Sequence, residues 1–297
     1  MDLAALRARL PSHPRTRFAP SPTGWLHLGH IVNAIYVWGI ARALDGRVLL
    51  RIEDHDRERS KAAYEEGILE DLMWLGLTPD EGSSEELIRQ SDRQPAYEKA
   101  LGQLDHLGLV YACRCSRREI GQAGGDGSEL RYPGTCRDRE WPRDGTAGLR
   151  IRIDAGEERF DDGAHGPQIQ SPAEQSGDVL IRDRLGQWTY QWAVTVDDIE
   201  HGIDLVIRGE DLLASTGRQI RMARLLGRRD QAVFLHHPLL YGAAGVKLSK
   251  SNRDAGIREM RRAGLSPADV LGLAAARAGL MSEARPVPAD DVQTLFE

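Results

Sequence analysis

Two short runs carry residues suited to handling a nucleotide. His27-Leu28-Gly29-His30 follows Phe18-Ala19-Pro20-Ser21-Pro22-Thr23-Gly24, a turn stiffened by prolines and opened by glycine to close backbone approach. The apolar run behind residues 27–30 predicts a helix starting there, so backbone N–H groups would face a phosphate and the imidazoles would add donors where charge develops. Far down the chain, after Gly242-Ala243-Ala244-Gly245, Lys247-Leu248-Ser249-Lys250-Ser251 sets two lysines three positions apart among small hydroxyl residues. That pattern suits a mobile loop that closes over a triphosphate and offsets its charge. His27, Gly29, His30, Lys247 and Lys250 are the candidate ATP-binding residues, with His27, His30 and Lys250 as the candidate catalytic ones. Each run alone is unspecific; their joint presence points to adenylate formation.

The elements around them must bring the two runs together. Residues 16–18 and 48–52 read as strands, and 29–44 and 62–75 as helices, which is the opening of a parallel α/β sheet. The pattern resumes with a strand at 203–208, a helix at 216–225 and a strand at 232–235. The sheet is therefore expected to be split in sequence, with halves at 1–109 and 178–251. Between them, 110–177 holds all three cysteines, the Gly121, Gly124, Gly125 and Gly127 cluster and a loop-like stretch, and reads as an inserted subdomain. The glycine cluster lacks a following Lys and helix, so it reads as a loop and not as a phosphate cradle. Residues 252–297 leave room for two or three helices, one starting at Ser266-Pro267 with Ser as N-cap and Pro at the first helical position.

Bulk properties narrow the classes. A chain of 297 residues, 41% hydrophobic, can bury a full core. With 39 basic and 45 acidic residues the net charge of -6 argues against a general polyanion binder, and DNA is not expected as a partner. The apolar run at 31–40 contains Asn33 and is about half the length that spans a bilayer, so no membrane association is expected. The opening seventeen residues fit neither a secretory signal nor a transit peptide, and a cytoplasmic location is the expectation. Cys113, Cys115 and Cys136 read as reduced thiols or metal ligands, not as a disulfide framework. His236-His237 reads as packing or pocket wall, because adjacent histidines do not share a face.

Taken together, these residues resemble a class I aminoacyl-tRNA synthetase of the glutamyl type, with HLGH and KLSKS in place of that family's HIGH and KMSKS. Leu248 for Met is a volume-conserving exchange. The strings Arg17-Phe18-Ala19-Pro20-Ser21-Pro22-Thr23-Gly24 and Arg51-Ile52-Glu53-Asp54 are similar to those of glutamate- and glutamine-charging enzymes. The resemblance implies a Rossmann-like α/β core with an inserted zinc-bearing subdomain and a short helical C-terminus. Glutamate has two carboxylates and one ammonium, so its site calls for two guanidinium forks and an acidic side chain. By analogy Arg17, Phe18, Ala19, Pro20, Ser21, Glu53, Tyr190 and Arg208 would line that site, with the assignment of each arginine to a carboxylate left open.

The chain is similar, within this family, to short queuosine-directed paralogues, because no helical anticodon-binding domain follows Ser251 in the residues given. That similarity implies activation of L-glutamate with Mg2+ and ATP in the absence of tRNA, then transfer to queuosine at the wobble position of tRNA(Asp). Cys113, Cys115, Tyr132 and Cys136 resemble the paralogues' structural zinc set, and Leu212 stands where many conventional enzymes have His. Two alternatives stay open at this stage: a conventional glutamyl enzyme fragment charging tRNA(Glu), and a small-molecule nucleotidylyltransferase.

Overall fold

The computed structural model describes residues 2–83, 86–123, 131–240 and 256–297. Its strands are β1 (Arg15–Phe18), β2 (Arg47–Ile52), β3 (Ile88–Arg89), β4 (Val110–Cys113), β5 (Gly148–Ile151), β6 (Glu158–Asp162), β7 (Gly166–Gln170), β8 (Val179–Arg182), β9 (Leu205–Gly209) and β10 (Val233–His237). The helices are α1 (Leu3–Arg7), α2 (Leu28–Ala43), α3 (Ala62–Leu75), α4 (Gln94–His106), α5 (Arg117–Ala123), α6 (Pro172–Gln175), α7 (Tyr190–Glu200), α8 (Thr216–Leu225), α9 (Ile257–Arg262) and α10 (Pro267–Arg277).

The near-continuous apolar runs of β2 and β9 are what parallel strands covered on both faces require. Strands β1, β2 and β3 form one parallel sheet, and β9 and β10 run parallel in a second. The two sheets abut along β1 and β9, where the Asp204 N–H donates to the Arg15 carbonyl and the Arg15 N–H to the Asp204 carboxylate, each at 2.9 Å. The spatial order is thus β3-β2-β1-β9-β10, and connections leave in opposite directions on either side of the β1/β9 seam. A crevice at the C-terminal ends of such strands is where open α/β sheets bind ligands. Helix α2 is apolar almost all round and lies buried across this seam, against β1 and β9.

The segment expected as one insertion, 110–177, is divided between two sheets. Hairpin β6–β7 joins the catalytic sheet through β6 beside β10, paired at Phe234 and Asp162. Strands β4 and β5 instead form a separate antiparallel sheet, completed by β8, which the sequence reading had assigned to the catalytic half. The reason is apolar: Ile151, Val179 and Ile181 bury one face against Trp188 and Trp192, so β8 cannot leave that core. Towards the C-terminus, Ser266 caps α10 reciprocally with Asp269, and Pro267 takes the first turn, as the sequence predicts. Gly272 on that helix lets the chain return closely, since a Cβ there would lie 1.7 Å from the Arg285 carbonyl oxygen. No helix among the described residues is long and apolar enough to cross a membrane.

Candidate active site at the strand seam

A cavity of about 680 Å³ opens at the C-terminal ends of β1, β2, β9 and β10. Arg17 and Phe18 reach it from the end of β1, and Ala19, Pro20 and Ser21 from the turn that follows. Glu53 enters just beyond β2, Tyr190 from the first residue of α7, and Arg208 from β9. His27, Gly29 and His30 border the same cavity at the start of α2. Lys247 and Lys250, with the rest of residues 247–251, lie outside the described residues.

The floor beneath β1 and β2 is a charge network closed upon itself. Arg17 Nε lies 3.1 and 3.2 Å from the two Asp198 carboxylate oxygens, and its Nη1 donates to the Ile207 carbonyl. Arg51, fully buried, donates to Asp198 at 2.9 Å and to Glu53 Oε1 at 3.0 Å. Asp197 accepts from Arg93, from Gln90 at 2.8 Å and from the Tyr97 hydroxyl at 2.8 Å. Arg17, Arg51 and Arg93 thus face Glu53, Asp197 and Asp198, three cations against three carboxylates. Burial opposes ionisation of Asp198, but Arg17 and Arg51 outweigh it and hold its carboxyl below the usual range. Burial likewise works against the Arg51 cation, and Asp198, Glu53 and Asp197 reverse that and raise its pKa.

The wall on β9 is built differently. Arg208 is 3% exposed, yet all its close partners are neutral. Its Nε donates to His236 Nε2 at 3.0 Å, Nη1 to Gln219 at 2.7 Å, and Nη2 to the Thr216 hydroxyl at 2.9 Å. Among the described residues no carboxylate pairs with it, and burial lowers its pKa, an effect Tyr190 partly offsets. A buried cation with neutral acceptors is left short of a counter-charge, which a carboxylate ligand in the cavity would supply. Burial also pushes the Tyr190 phenol up, so it stays a neutral hydroxyl.

The start of α2 departs from the expectation of unpaired N–H groups. His27 Nδ1 accepts the Gly29 N–H and His30 Nδ1 accepts the His27 N–H, both at 3.1 Å, forming a reciprocal cap. An accepting Nδ1 carries no proton, so each neutral ring carries it on Nε2 and is a donor there. The imidazoles, not the backbone alone, thus present the hydrogen-bond donors of this helix start.

A second cluster lies apart, beside the antiparallel sheet at the end of β4. The Sγ atoms of Cys113, Cys115 and Cys136 all lie within 4.8 Å of one another, with Cys115 and Cys136 3.6 Å apart. The Tyr132 hydroxyl oxygen is 3.5 Å from Cys113 Sγ and accepts the Cys136 N–H at 2.8 Å. Tetrahedral zinc with Zn–S bonds of about 2.3 Å needs sulfurs about 3.8 Å apart, so this cluster can hold a metal ion with small adjustments. Burial and the neighbouring sulfurs push the Cys115 thiol up to about 12, and a bound cation would reverse that preference. Gly177, at φ +68°, lets the backbone pass Tyr132; a Cβ there would sit 2.1 Å from the Tyr132 carbonyl oxygen.

Sequence reasoning does not single out Asp197, Asp198, Gln219 or the role of Arg51, and it takes Glu157-Glu158 and Asp161-Asp162 for solvated surface; Glu158 and Asp162 are instead buried, Glu158 paired with Arg221 and Arg224 and Asp162 with His236. The legible signal is the acidic doublet near the C-terminal end of the otherwise largely apolar α7, since adjacent carboxylates on a buried helix need cationic partners.

The chain belongs to the family of class I tRNA synthetases (E and Q), catalytic domain, matching it across residues 14–284. Among its relatives is the Glutamyl-Q tRNA(Asp) synthetase of Rhodobacter capsulatus, 43% identical over 277 residues, covering 86% of this chain and 97% of that protein. The Glutamyl-Q tRNA(Asp) synthetase of Burkholderia cenocepacia is 43% identical over 281 residues, covering 92% of this chain and 91% of that protein. Among solved structures, a glutamate tRNA ligase from Elizabethkingia meningosepticum in complex with its amino acid superposes with a TM-score of 0.77 at 26% identity. The match covers 97% of this chain but 65% of that one, so the chain spans just under two thirds of the ligase.

Proposed function

We propose that the protein activates L-glutamate with ATP, without tRNA, and then transfers the glutamyl group to queuosine at the wobble position of tRNA(Asp). The observation that carries the amino-acid half is the buried Arg208 with only neutral partners, facing a cavity that also holds Glu53 and the histidine-capped start of α2. The acceptor half rests on the names of the relatives, which the chain matches over nearly their whole length.

In this reading Arg17 and Arg208 receive the glutamate carboxylates, Glu53 the ammonium group, and Tyr190 adds a hydroxyl. Phe18, Ala19, Pro20 and Ser21 shape the wall. The α-carboxylate attacks the α-phosphate of ATP, giving glutamyl-adenylate and pyrophosphate, and a ribose-like hydroxyl of the tRNA then takes the acyl group. His27 and His30 donate from Nε2 to phosphate oxygens, Gly29 keeps the helix start open to close approach, and Lys247 and Lys250 offset the triphosphate charge. Magnesium bound with ATP supplies further neutralisation of the phosphates. Positioning and charge stabilisation carry the rate. Zinc held by Cys113, Cys115, Tyr132 and Cys136 is structural in this reading. A cytoplasmic location follows from a tRNA substrate.

The test is pyrophosphate exchange with glutamate and no tRNA, followed by acceptor assays on tRNA(Asp) with and without queuosine. Exchange without tRNA, and charging that depends on queuosine, are expected. Equal charging of queuosine-free tRNA(Glu) would replace this reading with a conventional glutamyl enzyme. Metal analysis of protein purified without chelators should find about one zinc per chain; a C136S variant should retain less.

A further inference from the structure

The β9 wall is held in place by the hairpin that joins the catalytic sheet from the middle of the chain. Asp162, at the end of β6, accepts the N–H groups of Ala164 and His165 at 3.0 Å on Oδ1, while Oδ2 lies 2.6 Å from His236 Nδ1. A carboxylate can only accept, so Nδ1 carries the proton and Nε2 is left as the acceptor that receives Arg208 Nε at 3.0 Å. Both Asp162 and His236 are buried. Burial, aided by the Arg208 charge, keeps His236 neutral even beside Asp162. The same hairpin supports the other side of the guanidinium. Gln170, at the end of β7, accepts the Gly217 N–H at 2.7 Å and donates to the Leu213 carbonyl at 2.9 Å. This fixes the turn that presents Thr216 to Arg208 Nη2.

We propose that Asp162 and His236 are positioning residues for amino-acid recognition: Asp162 selects the His236 tautomer whose Nε2 accepts from Arg208 and aims the guanidinium into the cavity. The inference rests on the reading that Arg208 receives a glutamate carboxylate. Neither residue borders the cavity, so neither touches substrate. In D162N the amide can donate to Nδ1, which moves the ring proton to Nε2 and sets two donors, His236 and Arg208, against each other.

Pyrophosphate exchange should show the glutamate KM rising about 10- to 100-fold in D162N and H236L, with the ATP KM and kcat within about threefold of wild type. H236Q, which can present an amide oxygen to Arg208, should recover part of the loss. Rises of equal size in both KM values would overturn the proposal. The double variant R208K/H236Q should bind glutamate no worse than R208K alone, because His236 acts through Arg208. Additive losses would show that it does not. If R208K leaves the glutamate KM unchanged, the reading of Arg208 itself fails, a result distinguishable from failure at His236 alone. Should H236L not fold, 15N spectra of the wild-type imidazole still decide: an unprotonated Nε2 is expected, and an Nε2–H tautomer overturns the proposal.

Discussion

The floor and the wall of the cavity solve the problem of buried charge in opposite ways. Beneath β1 and β2, Arg17, Arg51 and Arg93 are matched by Glu53, Asp197 and Asp198, so the charge is settled inside the protein. On β9, Arg208 is surrounded by His236, Gln219 and Thr216, which orient it without neutralising it. A self-neutralised network gives shape and resists change; an oriented but uncompensated cation holds its electrostatic attraction in reserve for a ligand. Arg17 and Glu53 belong to that network and also border the cavity, so stability and recognition are expected to separate between Asp198, which lies behind them, and Arg208.

The largest effect should come from the floor. In D198N, Arg17 and Arg51 lose a shared buried partner, and stability should fall by about 3–5 kcal/mol, read as a lower denaturant midpoint. A loss under about 1 kcal/mol would break the distinction. R208Q should do the reverse: unfolding stability should stay within about 1 kcal/mol of wild type, while the glutamate KM rises about 100-fold through loss of a charge-assisted pair worth up to about 3 kcal/mol. Y190F removes one neutral hydroxyl, so its expected penalty in glutamate binding is about 1 kcal/mol, with ATP binding unaltered. Just below neutrality titration should show the smallest effect, under about 1 kcal/mol at pH about 6, growing as pH falls further. Burial, with Arg51 and Arg93 nearby, brings His201 down to about 4. Below pH about 6.5 the unfolded chain takes up a proton that the folded chain refuses, so stability should decline as pH falls from about 6.5 to about 4. Urea midpoints across that range should show this part of the decline in the wild type and not in H201N.

The elements that carry backbone periodicity were legible. Helix α3 and the capped start of α10 stand where the apolar pattern and the Ser266-Pro267 pair place them. The β10 strand runs to His237, two residues beyond its apolar stretch, because His236 finds a buried partner in Asp162. That partnership spans 74 positions and no local pattern encodes it. The same holds for β8, which sits with β5 because of the apolar face it shares with the Trp188 and Trp192 core. Of the candidate site, the motif residues that border the cavity carry recognisable chemistry at short spacing, while Lys247 and Lys250 lie outside the described residues. The groups that hold them, Asp198 for Arg17 and His236 for Arg208, lie on other elements, and only folding brings them close.

The seam between β1 and β9 also has a consequence in time. Arg15 and Asp204 are separated by 189 positions, so the two edges that frame the cavity meet only after a long loop has closed. As the chain emerges from the ribosome, β1, β2 and the helix between them can pair early, yet Arg17 then lacks Asp198 and the β9 wall has not been synthesised. Glutamate affinity should thus appear late, all at once, when the second half docks, and a nascent chain halted before β9 should show none.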